Sequence, residues 1–243
     1  MRLPMYFVES NKHLATLPKT GFFCNDYEES KLLAFRPINM PFMESSVMSW
    51  CIQNFANKHK RFVDIGSHIG SWTMSLAPHF KYVHAFECNR HVFNVLCGNI
   101  ALRGLSHSVS THYCGLSKCK GIMKYYKRNP EGGPNGVEYL CDIDKECETE
   151  DIQVCSLDEF ELTDIGLLKI DVEGHEKSVL EGALQTLKNN NYPPFMFESW
   201  SDQRSNVPAS KLRNALFSYI ESIGYRVVTL AGWDEMFLAE YNR

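Results

Sequence analysis

The chain has 243 residues, 44% hydrophobic and 12% aromatic, with 25 Lys plus Arg against 29 Asp plus Glu and a formal charge of −4. Such content excludes disorder as the dominant state, because there is ample apolar surface to bury. It also argues against a non-specific nucleic-acid binder, which draws its affinity from positive charge.

At roughly 150 residues per domain, the length fits one α/β domain with additions. No apolar run approaches the roughly 18 residues that cross a bilayer, so no membrane segment is expected. Residues 1–43 carry scattered aromatics and prolines and are read as an irregular N-terminal cap on a domain spanning 44–243. Pro4, Glu9, Asn11, Lys12 and His13 interrupt the first apolar residues, which leaves no signal-peptide core.

The spacing predicts a helix over 44–58, a strand over 61–65, a helix over 71–78 and a strand over 81–86. A further helix, 90–102, places Val92, Val95, Leu96 and Ile100 on one side, and Gly104 supplies its stop. Strand 109–114 follows. Alternation along 121–126 suits an exposed strand, and 128–151 reads as an exposed loop, either a solvated insertion or a substrate lid. Strand 166–171 leads into a helix over 175–190, closed by Asn189, Asn190, Asn191, Pro193 and Pro194. Strand 195–198, helix 208–222 and strands 225–230 and 236–239 complete the pattern, the last two as an antiparallel hairpin turning near Gly232. Strands alternating with helices from about residue 60 predict an α/β fold with a mostly parallel sheet.

Nine cysteines form neither a CxxC pair nor a zinc pattern, and there is no Asn-x-Ser/Thr site. The expectation is buried thiols in a reducing compartment, hence a cytoplasmic protein.

Four segments carry candidate chemistry. In Val63-Asp64-Ile65-Gly66-Ser67-His68-Ile69-Gly70, a strand runs into two glycines and a helix start. Backbone approach and unused N–H groups there would suit a ligand. The spacing is not the G-x-G-x-x-G of a pyrophosphate cradle and better suits the methionine end of S-adenosylmethionine. Glu87, about 20 positions on and followed by Cys88, is placed to accept ribose hydroxyls or else to cap the next helix. Lys169 and Asp171 bring charge to the C-terminal end of an apolar strand, where α/β sheets bind ligands, or form a structural pair. Glu198 ends the next strand; with Asp171 it could hold a hard cation or serve as a base. Trp200 beside it is either a sugar-stacking platform or core.

These stretches, VDIGSHIGSWT (63–73), HAFECNRHVFNVLCGNI (84–100), VCSLDEF (154–160), LLKIDVEGHEKSVLEGA (167–183) and MFES (196–199), together resemble the FkbM family of S-adenosylmethionine-dependent methyltransferases. The resemblance covers about residues 60–240. Ser67-His68 and Cys88 stand where the family usually writes Ala-Asn and Pro. It implies a Rossmann-like class I methyltransferase fold with a seven-stranded sheet and methyl transfer to oxygen, often a hydroxyl of a sugar or glycan acceptor. Asp64, Gly66, Ser67, His68, Gly70, Glu87 and Cys88 are then the expected cofactor-binding residues. Asp171, Glu198, Lys169 and His175 are the expected catalytic ones, with Asp171 and Glu198 also able to hold Mg²⁺ or Mn²⁺. His175 is read either as a base or as a solvated residue at a helix start. A homo-oligomer is compatible with the sequence.

Two other readings stand beside this one. Lys118, Lys120, Lys124, Lys127 and Arg128 interleave with Tyr125 and Tyr126 as in single-strand binders, which would suit an RNA methyltransferase. The substitutions at 67, 68 and 88 would suit a non-catalytic module that keeps the fold.

Overall fold

The computed structural model describes residues 6–8, 22–24, 44–127, 148–200 and 209–242. Most of the expected N-terminal cap, and 128–147 of the expected loop or lid, lie outside the described residues. Within the cap, β1 (Tyr6–Val8) and β2 (Phe22–Cys24) pair antiparallel.

Seven strands form the main sheet in the order β11-β12-β10-β9-β3-β4-β5. The chain divides into two compact units, the first built on the described elements up to Tyr113 and the second on those from Cys114 onward.

In the first unit, α1 (Ser45–Phe55) precedes β3 (Asn57–Ile65), α2 (Ser71–Leu76), a 3-10 turn (Ala77–His79), β4 (Phe80–Glu87), α3 (Arg90–Leu102) and β5 (Val109–Tyr113). The first predicted helix therefore ends at Phe55 rather than 58, because the chain turns extended at Ala56. Strands β3, β4 and β5 run parallel, with Val63 opposite His84 and Ala85 opposite Thr111. Phe62, Val63, Ile65, Val83, Ala85 and Phe86 are all buried, as successive apolar residues should be in a sheet covered on both faces. Helix α3 buries Val92, Val95, Leu96, Asn99 and Ile100 at the expected spacing. Asn89 caps it, its side-chain oxygen accepting from the His91 and Val92 amides. Its end is a Schellman motif, with Leu105 N–H donating to Ile100 and Gly104 N–H to Ala101.

The second unit opens with a three-stranded sheet in the order β6-β8-β7: β6 (Gly115–Leu116), β7 (Gly121–Lys127) and β8 (Glu148–Cys155). Strand β8 corrects the predicted loop, since residues 148–151 are paired and not irregular. Lys124 meets Asp151, and Lys127 meets both Glu148 and Glu150, across the antiparallel β7–β8 ladder. A 3-10 turn (Leu157–Phe160) leads to β9 (Ile165–Ile170), α4 (Glu176–Glu181), α5 (Leu184–Asn189), β10 (Phe195–Glu198), α6 (Ala209–Ser222), β11 (Tyr225–Leu230) and β12 (Trp233–Tyr241). Strands β9 and β10 are parallel, whereas β12 is antiparallel to both β10 and β11. The last two strands form the predicted hairpin, with Gly232 between them and a longer second strand than expected.

The single helix predicted over 175–190 is two. The Gly182 carbonyl accepts the Asp158 N–H, and the Asp158 carboxylate accepts the N–H groups of Gln185 and Thr186, capping α5 from outside the helix. A Cβ at Gly182 would lie 2.1 Å from the Ser117 carbonyl oxygen, so the break is also a close approach to the backbone just after β6.

Candidate active site

The bend between β3 and α2 is built from backbone bonds. Gly66 and Ser67 both donate their N–H groups to the Phe86 carbonyl, and Gly70 donates to Ser67. His68 N–H donates to Glu87 Oε2 at 3.0 Å. The amides of 66, 67, 68 and 70 are thus already engaged within the bend. Gly66 and Gly70 have φ of 75° and 95°, a region costly for residues with a Cβ, and His68 joins them at 51°. Side chains brace the same bend: Ser67 Oγ donates to the Asp64 carbonyl and Asn99 Nδ2 to the Ile69 carbonyl. Asp64 is fully buried, its Oδ2 accepting from Thr73 Oγ1 at 2.5 Å and so tying β3 to α2.

Glu87 is buried at the end of β4. Its Oε1 accepts the Asn89 N–H at 2.7 Å while Oε2 takes that of His68. The helix-capping alternative falls away, since Asn89 is the residue whose side chain caps α3. Burial raises the Glu87 carboxyl above its ordinary range, and the Asn89 N–H, His68 and the Cys88 N–H pull it back. Three N–H donors on four lone-pair sites leave the carboxylate able to accept one further hydroxyl. Cys88 is half-buried at the edge of this group.

In the second unit, Lys169 is buried on β9 and its Nζ lies 3.0 Å from Asp171 Oδ2. Ile170 pairs with Phe197, so Asp171 and Glu198 are the next residues along two neighbouring parallel strands. Ligand oxygens of Asp171, Glu173 and Glu198 lie within 4.8 Å of one another. Glu198 as a residue is half-buried, but its carboxyl is enclosed. Desolvation, then the charges of Asp171, Glu173 and Glu176, then a hydrogen bond with Asp171, raise it well above the usual carboxylate range. Trp200 Nε1 donates to Glu198 Oε2 at 2.9 Å, which gives that tryptophan an orienting contact with the acid.

The turn that carries Asp171 and Glu173 has two consecutive left-handed residues, Glu173 at φ 58° and Gly174 at 99°. Glu176 Oε1 closes it by accepting the N–H groups of Val172 and Gly174, each at 3.1 Å. Burial lifts Glu176 to about 7. His175 is buried rather than solvated, its Nε2 standing 2.9 Å from Ser117 Oγ, and it makes no side-chain cap to α4. Sequence reasoning missed Glu173, Glu176 and Ser117. The Glu-Gly pair at 173–174 is the one local signal of a tight turn; nothing in the sequence announces Ser117.

A mostly parallel seven-strand α/β sheet with acids at strand ends is a Rossmann-like fold. The Methyltransferase FkbM domain matches residues 64–227, and the chain belongs to that family. No curated protein matches it in sequence.

Among solved structures, the chain is similar to the methyltransferase FkbM from Methylobacillus flagellatus KT, at 18% identity and a TM-score of 0.50. The match covers 75% of this chain and 44% of that one, so the chain spans less than half the length of that relative. It is also similar to the precorrin-6y C5,15-methyltransferase from Geobacter metallireducens GS-15, at 12% identity, with 83% and 90% of the two chains covered and a TM-score of 0.50. SMU.1697c from Streptococcus mutans, solved in complex with SAH, matches at 8% identity, with 81% and 96% covered and a TM-score of 0.50. At these identities the structural likeness establishes the fold alone. Among the described residues, no helix is long and apolar enough to cross a membrane.

Proposed function

We propose that the chain is an S-adenosylmethionine-dependent O-methyltransferase acting on a hydroxyl of a sugar or glycan, working in the cytoplasm. The observation that carries the proposal is the Asp171–Glu198 pair, a carboxyl of raised proton affinity hydrogen-bonded to a second acid beside a buried lysine. A weakly acidic hydroxyl needs such a base. Bound S-adenosylmethionine would supply the methyl group, and the Asp171–Glu198 pair would take the proton released by the acceptor hydroxyl. Lys169 holds Asp171 in place.

The bend at Gly66, Ser67, His68 and Gly70, set by Asp64, is the proposed cradle for the cofactor's amino-acid end. Glu87 is assigned to its ribose, and Cys88 to the rim beside it. The SAH complex of the Streptococcus mutans protein supports this cofactor class. Three carboxylates offering only oxygen also suit Mg²⁺ or Mn²⁺; Asp171, Glu173 and Glu198 would hold the ion, which would acidify the hydroxyl. His175, buried against Ser117, is assigned to positioning the α4 turn.

The RNA reading draws no support from the basic strand. Lys124 and Lys127 are paired with acids of β8, and Lys118 with Glu181, which spends much of that charge within the protein. The test is calorimetry with S-adenosylhomocysteine followed by labelled methyl transfer across deoxysugars, glycans and RNA. Transfer to a sugar hydroxyl that is lost in both Asp171→Ala and Glu198→Ala is the expected result. Transfer to RNA, or no cofactor binding, overturns it; insensitivity to chelator removes the metal alone.

A further inference from the structure

Cys114 and Cys155 stand apart from every group assigned above. Cys155 ends β8, and Cys114 immediately precedes β6; the two strands run parallel, with Leu116 opposite Cys155. Their sulfurs are 3.3 Å apart, and both residues are half-buried thiols, so each is in contact with the other and within reach of a small reagent. Closing that gap to a covalent bond needs about 1.3 Å of movement, a side-chain adjustment.

We propose that Cys114 and Cys155 form an oxidisable dithiol, a modification site that reacts with a low-molecular-weight disulfide and closes to an intramolecular bond between β6 and the end of β8.

The electron balance is simple. The Cys155 thiol loses its proton, and the thiolate attacks one sulfur of the reagent, RSSR; the S–S bond breaks and one thiolate leaves to take up a proton. Cys114 then loses its proton and attacks the Cys155 sulfur of the mixed disulfide, expelling the second thiol. Two protein thiols are oxidised, and RSSR is reduced to two RSH. The order follows from surroundings. Burial and Glu159 raise both thiols, but Cys114 and Lys120 pull Cys155 back, whereas Cys155 pushes Cys114 further up. The bond would anchor β6, the strand that delivers Ser117 to His175.

The full-length protein is incubated with glutathione disulfide at about pH 8.5, where thiolate is more abundant, then acid-quenched, alkylated and digested without reduction. Mass spectrometry should find one peptide pair joined through Cys114 and Cys155, with two of the nine cysteines protected from alkylation and both released by dithiothreitol. In Cys155→Ser, Cys114 should be alkylated and the joined pair absent. The site is overturned if both cysteines of the unmutated protein remain alkylatable. It is equally overturned if Cys155 stops at a mixed disulfide or bonds another cysteine, the exposed Cys119 included.

Discussion

Glu198 and Glu176 are both enclosed acids of raised proton affinity, yet they do different work. A base acts when deprotonated, so methyl transfer should rise with pH through the elevated Glu198 value. Glu198→Gln should lower the rate by about 10²-fold or more and flatten that limb of the profile, read by labelled transfer at several pH values. Glu176 faces backbone amides, and its effect is on stability. Its carboxyl lies at about 7 in the folded chain against 4.5 in the ordinary case, so its contribution is full below the unfolded value. That contribution is lost as pH rises to the folded value, a change of about 3 kcal/mol over the window. Glu176→Gln should remove most of that slope, measured as urea unfolding at pH values across the same window. Lys169, Asp171 and Glu198 were legible because charge at the end of an apolar strand breaks the pattern. Glu176 was not, since an acid in the first turn of a helix ordinarily faces water; only the fold-back onto residues 172 and 174 buries it.

Among elements, the clearest difference between pattern and structure is the α4–α5 pair. The apolar residues Val179, Leu180, Ala183 and Leu187 keep helical spacing across the break and are buried. Periodicity could not reveal that the Gly182 carbonyl is diverted to Asp158, a partner 24 residues upstream in the chain. Gly182→Ala would drive its methyl into the Ser117 backbone, which cannot swing aside as a side chain can. A loss of about 1–3 kcal/mol is expected in denaturant unfolding. Strand β8 was hidden for a related reason: Glu148, Glu150 and Asp151 read as a solvated acidic run, and only the lysines of β7 opposite make them a ladder. By contrast, α3 and the final hairpin were legible from local signals, an apolar face with a stop glycine in one and a turn glycine in the other.

At the scale of the whole molecule, the seven-stranded sheet was implied by the family resemblance, and its strand order could not come from periodicity, which is silent on which strands are neighbours. The same holds for the cofactor. A ligand that binds only the folded chain stabilises it by about 2.7 kcal/mol at a hundredfold excess over its dissociation constant. S-adenosylhomocysteine should therefore raise the melting temperature of the intact protein, and Glu87→Ala should abolish most of that rise if the ribose is held there. A melting temperature unmoved by saturating nucleoside would remove the cofactor assignment for the entire chain.

The Phe86 carbonyl takes two N–H groups from the glycine bend, and Glu87 takes a third. A loop so occupied has little conformational freedom left to surrender when a guest arrives. Deuterium uptake at residues 66–68 should already be slow in the empty protein and change little on saturation, so that recognition there resembles a key entering a finished lock.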